Sequence, residues 1–178
     1  MQERTQIMDI QAVNRATARI AHEIIERNSG VSNVCILGIK KRGVPFAKKI
    51  RDCILAFEGV KVPFGELDIT YHRDDLTDDR KNMVATESNV PCDLTEKTVI
   101  IVDDVVYTGR TVKASLETVF KYGRPNSVQF VALIDRGHRE LPIRPDYVGK
   151  NVPTSKHETV SVVFDNDQNS GVYIIKNN

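Results

Sequence analysis

Val99-Ile100-Ile101-Val102-Asp103-Asp104-Val105-Val106-Tyr107-Thr108-Gly109-Arg110-Thr111 is the stretch that decides the fold. The apolar run at residues 98–102 reads as a strand buried on both faces, the habit of parallel rather than antiparallel sheets. It ends in two acids. A turn of small and hydroxyl-bearing residues then opens onto residues 111–122, which are helical in pattern and stop at Gly123-Arg124-Pro125. Strand, turn and helix in that order make half of a βαβ unit. In open parallel sheets ligands bind beyond the carboxyl ends of strands, where the strand order reverses, so chemistry is expected just after each central strand.

The flanking sequence repeats the alternation. Residues 9–28 place Ile10, Val13, Thr17, Ile20, Ala21 and Ile24 at helical spacing, with Asp9 as N-cap and Gly30 as the stop. Residues 34–39 form a short apolar strand. Residues 44–57 read as a second helix, opened by Gly43 and by Pro45 in its first turn. Strands are expected at 64–71, 128–134, 160–164 and 172–175. No repeat, low-complexity tract or linker interrupts the pattern, so residues 1–178 are expected to form one α/β domain: a central, mainly parallel sheet flanked by helices.

Composition narrows the class. Of 178 residues 40% are hydrophobic and 28% charged, ordinary for a globular protein. No run approaches the roughly 20 apolar residues that span a bilayer, and Met1-Gln2-Glu3-Arg4 does not begin a signal peptide. Three cysteines, Cys35, Cys53 and Cys92, are odd in number and lack CxxC spacing, which disfavours a disulfide framework or a zinc site. A cytoplasmic protein without a membrane partner is expected. The net charge of +1 conceals segregation: residues 1–51 carry ten Lys/Arg against four Asp/Glu, residues 52–100 five against eleven, and residues 110–160 nine against five. Either the two basic segments meet and offer one face to a polyanion, or the charges are scattered and solvated.

Four segments carry chemistry. At the deciding stretch, backbone N–H groups at a helix start, with the hydroxyls of Thr108 and Thr111, suit a phosphate, and Gly109 permits close backbone approach. Asp103 and Asp104 would repel that phosphate but can accept hydrogen bonds from a ribose diol. The second segment, Gly38-Ile39-Lys40-Lys41-Arg42-Gly43, follows a strand and sets three cations between glycines, either a pyrophosphate cradle or a basic surface turn. The third, Asp68-Ile69-Thr70-Tyr71-His72-Arg73-Asp74-Asp75-Leu76, opens a charged stretch reaching Ser88, either a disordered loop or a mobile lid that brings in Arg73. The fourth, Ile134-Asp135-Arg136-Gly137-His138-Arg139-Glu140-Leu141-Pro142-Ile143-Arg144, can floor a base pocket. His138 has no second His or Cys at ligand spacing, so no metal site is expected from the protein alone.

The deciding stretch resembles the phosphoribosyl-pyrophosphate signature of type I phosphoribosyltransferases, a fold with a flexible loop and a small hood. Together with Arg19-Ile20-Ala21-His22-Glu23, the Asp135–Arg144 segment and Tyr147-Val148-Gly149-Lys150-Asn151-Val152-Pro153-Thr154-Ser155, it makes essentially the whole chain similar to the PyrR family. These are bifunctional regulators of pyrimidine operons with uracil phosphoribosyltransferase activity. The resemblance implies transfer of ribose 5-phosphate from phosphoribosyl pyrophosphate to uracil, giving UMP and pyrophosphate. Asp103 and Asp104 would hold the ribose; Tyr107, Thr108, Gly109, Arg110 and Thr111 the 5-phosphate; Lys40, Lys41, Arg42, Gly43 and Arg73 the pyrophosphate; Asp135 and Arg136 the base side. Mg2+ would arrive bound mainly to phosphoribosyl pyrophosphate. The alternative is a purine salvage phosphoribosyltransferase without an RNA role, but Tyr107 stands where purine enzymes of the superfamily carry an acid.

The resemblance also implies attenuation of transcription: binding of a messenger leader hairpin promoted by UMP or UTP, by a homo-oligomer, dimer or higher. Arg19, His22, Arg27, His138, Arg139, Arg144 and Lys150 match the family's RNA face. From the residues alone, Arg15, Arg19, His22 and Glu26 form a polar stripe opposite the apolar face of their helix, equally the mark of an ordinary exposed face. Ala18 stands where family members carry threonine, which would remove about 0.5–1.5 kcal/mol if one hydrogen bond is lost.

Overall fold

The computed structural model describes residues 4–70, 87–164 and 170–176. In chain order the elements are β1 (Arg4–Asp9), α1 (Ile10–Arg27), β2 (Val34–Ile39), α2 (Gly43–Glu58), β3 (Phe64–Leu67), β4 (Thr98–Val106), α3 (Arg110–Val119), β5 (Ser127–Asp135), β6 (Tyr147–Asn151), β7 (Glu158–Val163) and β8 (Gly171–Lys176), with a 3-10 turn at Phe120–Tyr122.

Five strands form the central sheet in the order β3-β2-β4-β5-β6, and every neighbouring pair is parallel. The expected central sheet flanked by helices is therefore present. The first connection runs outward from β2 to β3 and the next returns to the other side of β2, so the order reverses between β2 and β4. The carboxyl ends of those two strands are where a ligand should sit.

Alternation along the buried strands feeds two cores. Ile100 and Val102 of β4 face a cluster with Ile20 and Ile24 of α1 and Phe46 and Ile50 of α2. Val99 and Ile101 face a second cluster with Val112 and Val119 of α3. A separate antiparallel sheet, β1-β8-β7, joins the first cluster through Met8, Val160 and Val172. Asp9 caps α1 as expected, its Oδ1 accepting from the Ala12 N–H at 2.7 Å.

Differences from the expected elements have local causes. β1 and β6 were not legible: Arg4–Asp9 and Tyr147–Asn151 are short, mostly uncovered strands with polar sequences. β3 ends at Leu67 rather than at residue 71, because the Asp68 carboxylate takes the Thr70 N–H and ends the ladder in a turn. β4 runs to Val106, so Asp103 and Asp104 lie inside the strand rather than beyond it.

Candidate functional site

The last residues of β4 carry the acidic pair. Asp103 and Asp104 are both buried. The Asp104 N–H donates to Asp103 Oδ1 at 2.9 Å, and the Val105 N–H to Asp104 Oδ1 at 2.8 Å. These local bonds accompany a slip in alternation: Val105 packs toward the α1/α2 cluster and Val106 into the α3 cluster, the reverse of the parity held at residues 99–102. Register to β5 is unchanged on either side, Asp103 pairing Ala132 and Val105 pairing Ile134. Burial is the largest influence on the Asp104 carboxyl and pushes its pKa up, against Asp103, the charge of Arg42 and two backbone N–H groups, which pull it down. Its Oδ2 is buried without a hydrogen-bond partner among the described residues.

An open cavity of about 330 Å³ follows, lined by Asp103, Val105 to Val112 and Glu140. Gly109 sits in the left-handed region at φ 93° and is the N-cap residue of α3, to which it brings no side chain. Thr108 Oγ1 accepts from the Arg110 N–H at 3.3 Å, and Arg110 Nε donates to Glu140 Oε2 at 2.7 Å. The start of α3 thus lines a cavity that also holds hydroxyls and a cation, which suits an anion.

At the neighbouring strand end, the turn after β2 carries Lys40, Lys41 and Arg42. The last two are exposed, and Lys40 Nζ donates to the Glu87 carbonyl at 3.0 Å. The Lys40–Lys41 peptide is cis. Gly43 then begins α2 directly against β4: a Cβ there would lie 2.3 Å from the Val102 carbonyl oxygen and 3.1 Å from the Asp103 Cα. The basic turn is held beside the acidic pair because that glycine has no side chain. Arg73 lies outside the described residues.

The loop after β5 closes the other side. Asp135 Oδ1 accepts from the Gly137 N–H at 3.0 Å, and Oδ2 from Arg139 Nη2 at 2.6 Å. Arg136 is buried. Its Nε donates to Thr154 Oγ1 at 3.0 Å and its Nη2 to the Glu158 carbonyl at 2.7 Å, while its guanidinium lies 4.2 Å from the centre of the Tyr107 ring. His138 meets the same ring edge-on at 5.7 Å and its Nε2 contacts the Thr154 carbonyl. Thr154 and Glu140 were not singled out from sequence; Glu140 stands in the Asp135–Arg144 segment, and only the fold shows it facing Arg110.

The basic residues matched to an RNA face do not all lie together. Arg19, Arg27 and Lys150 meet along the seam between α1 and β6. Arg19 donates to the Val148 and Gly149 carbonyls at 2.8 and 2.9 Å, Arg27 pairs with Asp146 at 2.7 Å, and Lys150 donates to the Ile7 carbonyl at 3.2 Å. Asp146, chemically undistinguished in sequence, holds this arrangement, since its other oxygen accepts from the Phe130 N–H. His22 stacks on Phe57 with ring centres 4.0 Å apart, and Arg144 is exposed. His138 and Arg139 lie instead in the loop behind Tyr107. Ala18 is half-buried on α1.

Among the described residues no group of three or more His, Cys, Asp or Glu could hold a metal, and no helix is long and apolar enough to cross a membrane.

The sequence matches the family model described as "Phosphoribosyl transferase domain" over residues 3–168. It is 56% identical over 156 residues to the bifunctional protein PyrR of Halalkalibacterium halodurans, covering 86% of this chain and 87% of that one. To the bifunctional protein PyrR of Thermoanaerobacter sp. (strain X514) it is 52% identical over 165 residues, 93% of each. Among solved structures, the hypoxanthine phosphoribosyltransferase of Trypanosoma cruzi in complex with the product IMP superposes with a TM-score of 0.70, covering 99% of this chain and 91% of that one, at 18% identity. Identity that low speaks to the fold alone.

Proposed function

Because the chain belongs to the PyrR family of phosphoribosyl transferase domains and has the type I fold, we propose that it regulates a pyrimidine operon by binding its leader RNA and also makes UMP from uracil and phosphoribosyl pyrophosphate. One observation carries the catalytic half: the buried acids of β4, the start of α3 and the basic turn after β2 converge at the reversal of strand order.

In this reading residues 1–178 act as one domain. Asp103 and Asp104 accept hydrogen bonds from the ribose hydroxyls, and the Tyr107-to-Thr111 turn binds the 5-phosphate through N–H groups and the Thr108 and Thr111 hydroxyls. Lys40, Lys41, Arg42 and the Gly43 N–H face the departing pyrophosphate, with Arg73 assigned there from sequence. Holding both phosphate ends fixes C1 of the ribose for attack by N1 of uracil, and the cations favour the charge that builds as the C1–O bond breaks. Asp135 and Arg136 shape the base side. The partnerless Asp104 Oδ2 fits a diol or a cation brought with the substrate, and two carboxylates suit Mg2+ that keeps most of its ligands from phosphoribosyl pyrophosphate and water. When bound, Mg2+ would neutralise pyrophosphate charge.

The seam of Arg19, Arg27 and Lys150 supports the regulatory half, since cations aligned along α1 and β6 suit RNA phosphates. A cytoplasmic homo-oligomer, dimer or higher, belongs to the same proposal, because pairing would extend that seam over one hairpin.

Two assays on the purified protein test the two halves. Uracil should support release of pyrophosphate and formation of UMP with Mg2+, and hypoxanthine should neither replace nor compete with it; preferred use of hypoxanthine would overturn the pyrimidine assignment. A gel shift with the operon's leader hairpin should show binding that UMP or UTP strengthens, whereas no shift from a preparation that makes UMP would overturn the regulatory half.

A further inference from the structure

Phe57 continues the apolar stripe of α2, whose earlier members Phe46, Ile50 and Ile54 are all buried. Past Ile54 the core ends, and the Phe57 ring is left 42% exposed. α1 packs against α2, and from it His22 lays its imidazole over that ring, with ring centres 4.0 Å apart and planes 12° from parallel. His22 is itself exposed. Each ring covers one face of the other, and the exposure of both leaves outer ring surface open to solvent. The pair forms a flat apolar surface at the rim of the core rather than within it.

Its surroundings are charged. Arg19 and Arg15 stand about one and two turns before His22 on the same exposed stripe of α1, and the exposed Glu26 stands one turn after it. Arg19 also shares its charge with Glu23 at 2.6 Å. A phosphate is drawn toward the arginines and repelled by the acid next to the stack, so the stack itself suits an uncharged partner. The flat face of a nucleobase is one, and the unpaired bases of an RNA stack on aromatic rings. A protein partner would need about 800 Å² on each side, far more than two rings with a charged border provide.

We propose that Phe57, stacked with His22, is a platform for one unpaired base of the leader hairpin, beside phosphates held by the seam of Arg19, Arg27 and Lys150. This rests on the regulatory reading of the chain. His22 matches the family's RNA face by resemblance, whereas Phe57 is not among the residues so matched, and the fold alone brings it to that face. The platform supplies what the seam lacks: cations on phosphates fix position, and contact with a base discriminates between RNAs.

Filter binding of the full-length protein tests the proposal, with the operon's leader hairpin and with the same hairpin carrying an abasic site at each unpaired position in turn. On the natural hairpin Phe57→Ala should lose about tenfold in affinity, the scale of one base stacked on an aromatic ring. Phe57→Tyr, which keeps the ring, should bind as the parent does. No charge changes, so the slope of log affinity against log salt should stay parental. At one abasic position the parent should weaken by the same factor, and there Phe57→Ala should add no further loss. Phe57→Ile, which keeps apolar bulk without a ring, should also bind the natural hairpin less tightly, and it serves alone if the alanine variant does not fold. Parental affinity in both ringless variants would overturn the proposal. So would a loss that persists at every abasic position, or a lowered salt slope, the marks of a disturbed α1 rather than a lost base. A smaller assembly for Phe57→Ala in sedimentation would assign the rings to contact between two copies and overturn it as well. If the parent does not bind the natural hairpin, the regulatory reading itself fails and takes the proposal with it.

Discussion

Gly43 and Val102 meet so closely that a Cβ on the glycine would lie 2.3 Å from the valine carbonyl oxygen. That contact seats the first turn of α2 on the end of β4 and sets the basic turn beside the acidic pair.

Gly43→Ala should therefore force α2 away from β4, since the obstructing atom is backbone and cannot rotate aside. The expected cost is about 1–3 kcal/mol of stability, as for other overpacked sites, with a fall in turnover larger than the fall in uracil affinity. Thermal unfolding and steady-state kinetics check this together. An alanine variant with parental Tm and kcat would show that α2 does not rest on β4 at this glycine.

Asp104→Asn should cut turnover sharply while stabilising the ligand-free protein. Burial raises the pKa of this carboxyl on folding. Such a group contributes most to stability while it is protonated, below the usual aspartate range near 3.8, and the contribution is lost as pH rises through the raised folded value. The stability gain of the asparagine variant should accordingly be absent in acid and grow toward neutrality, reaching about 1 kcal/mol, or roughly 2–4 °C in Tm for a chain of this length. Melting curves from pH 4 to pH 8 read it. A gain that shrinks as pH rises would contradict the assignment.

Cys35 should resist alkylation in the native state. It is buried in β2, and burial, followed by the neighbouring Cys92, pushes its thiol up to about 12, so little thiolate exists at neutral pH. Mass spectrometry after iodoacetamide at pH 8 should find Cys35 modified only when denaturant is present. Cys53 and Cys92, both partly exposed, should react first.

Salt dependence should separate the seam cations from the rest of the basic surface. Arg19→Gln or Lys150→Gln should weaken leader RNA binding and lower the slope of log affinity against log salt by about one unit each. Both residues are exposed, bonding backbone carbonyls and, for Arg19, the exposed Glu23 carboxylate, so Tm should barely move. A full parental slope in both variants would place the RNA elsewhere.

Much of this architecture was legible in the chain. The apolar run before Asp103-Asp104 declared a buried parallel strand, and Asp9 announced the start of α1. What escaped was whatever depends on partners distant in sequence. β1 and β6 are edge strands with polar residues, so neither period nor apolarity marks them. Asp146 looked like any surface acid until Arg27 and the Phe130 N–H were seen to converge on it.

By itself the sequence determined the α/β class, the alternation of β2, α2, β4, α3 and β5 along the chain, and the acidic, basic and hydroxyl-bearing residue types that stand at or just after those strands. Periodicity and turn chemistry are local properties, so they can be read along the chain. The tertiary structure alone decided which of those groups lie together. It placed Gly43 against β4, turned the Arg139 guanidinium inward to Tyr107 and Asp135, and gathered Arg19, Arg27 and Lys150 into one seam. These outcomes follow from strand order and close packing between segments far apart in sequence, and no local pattern encodes where a long side chain will find its hydrogen-bond acceptors.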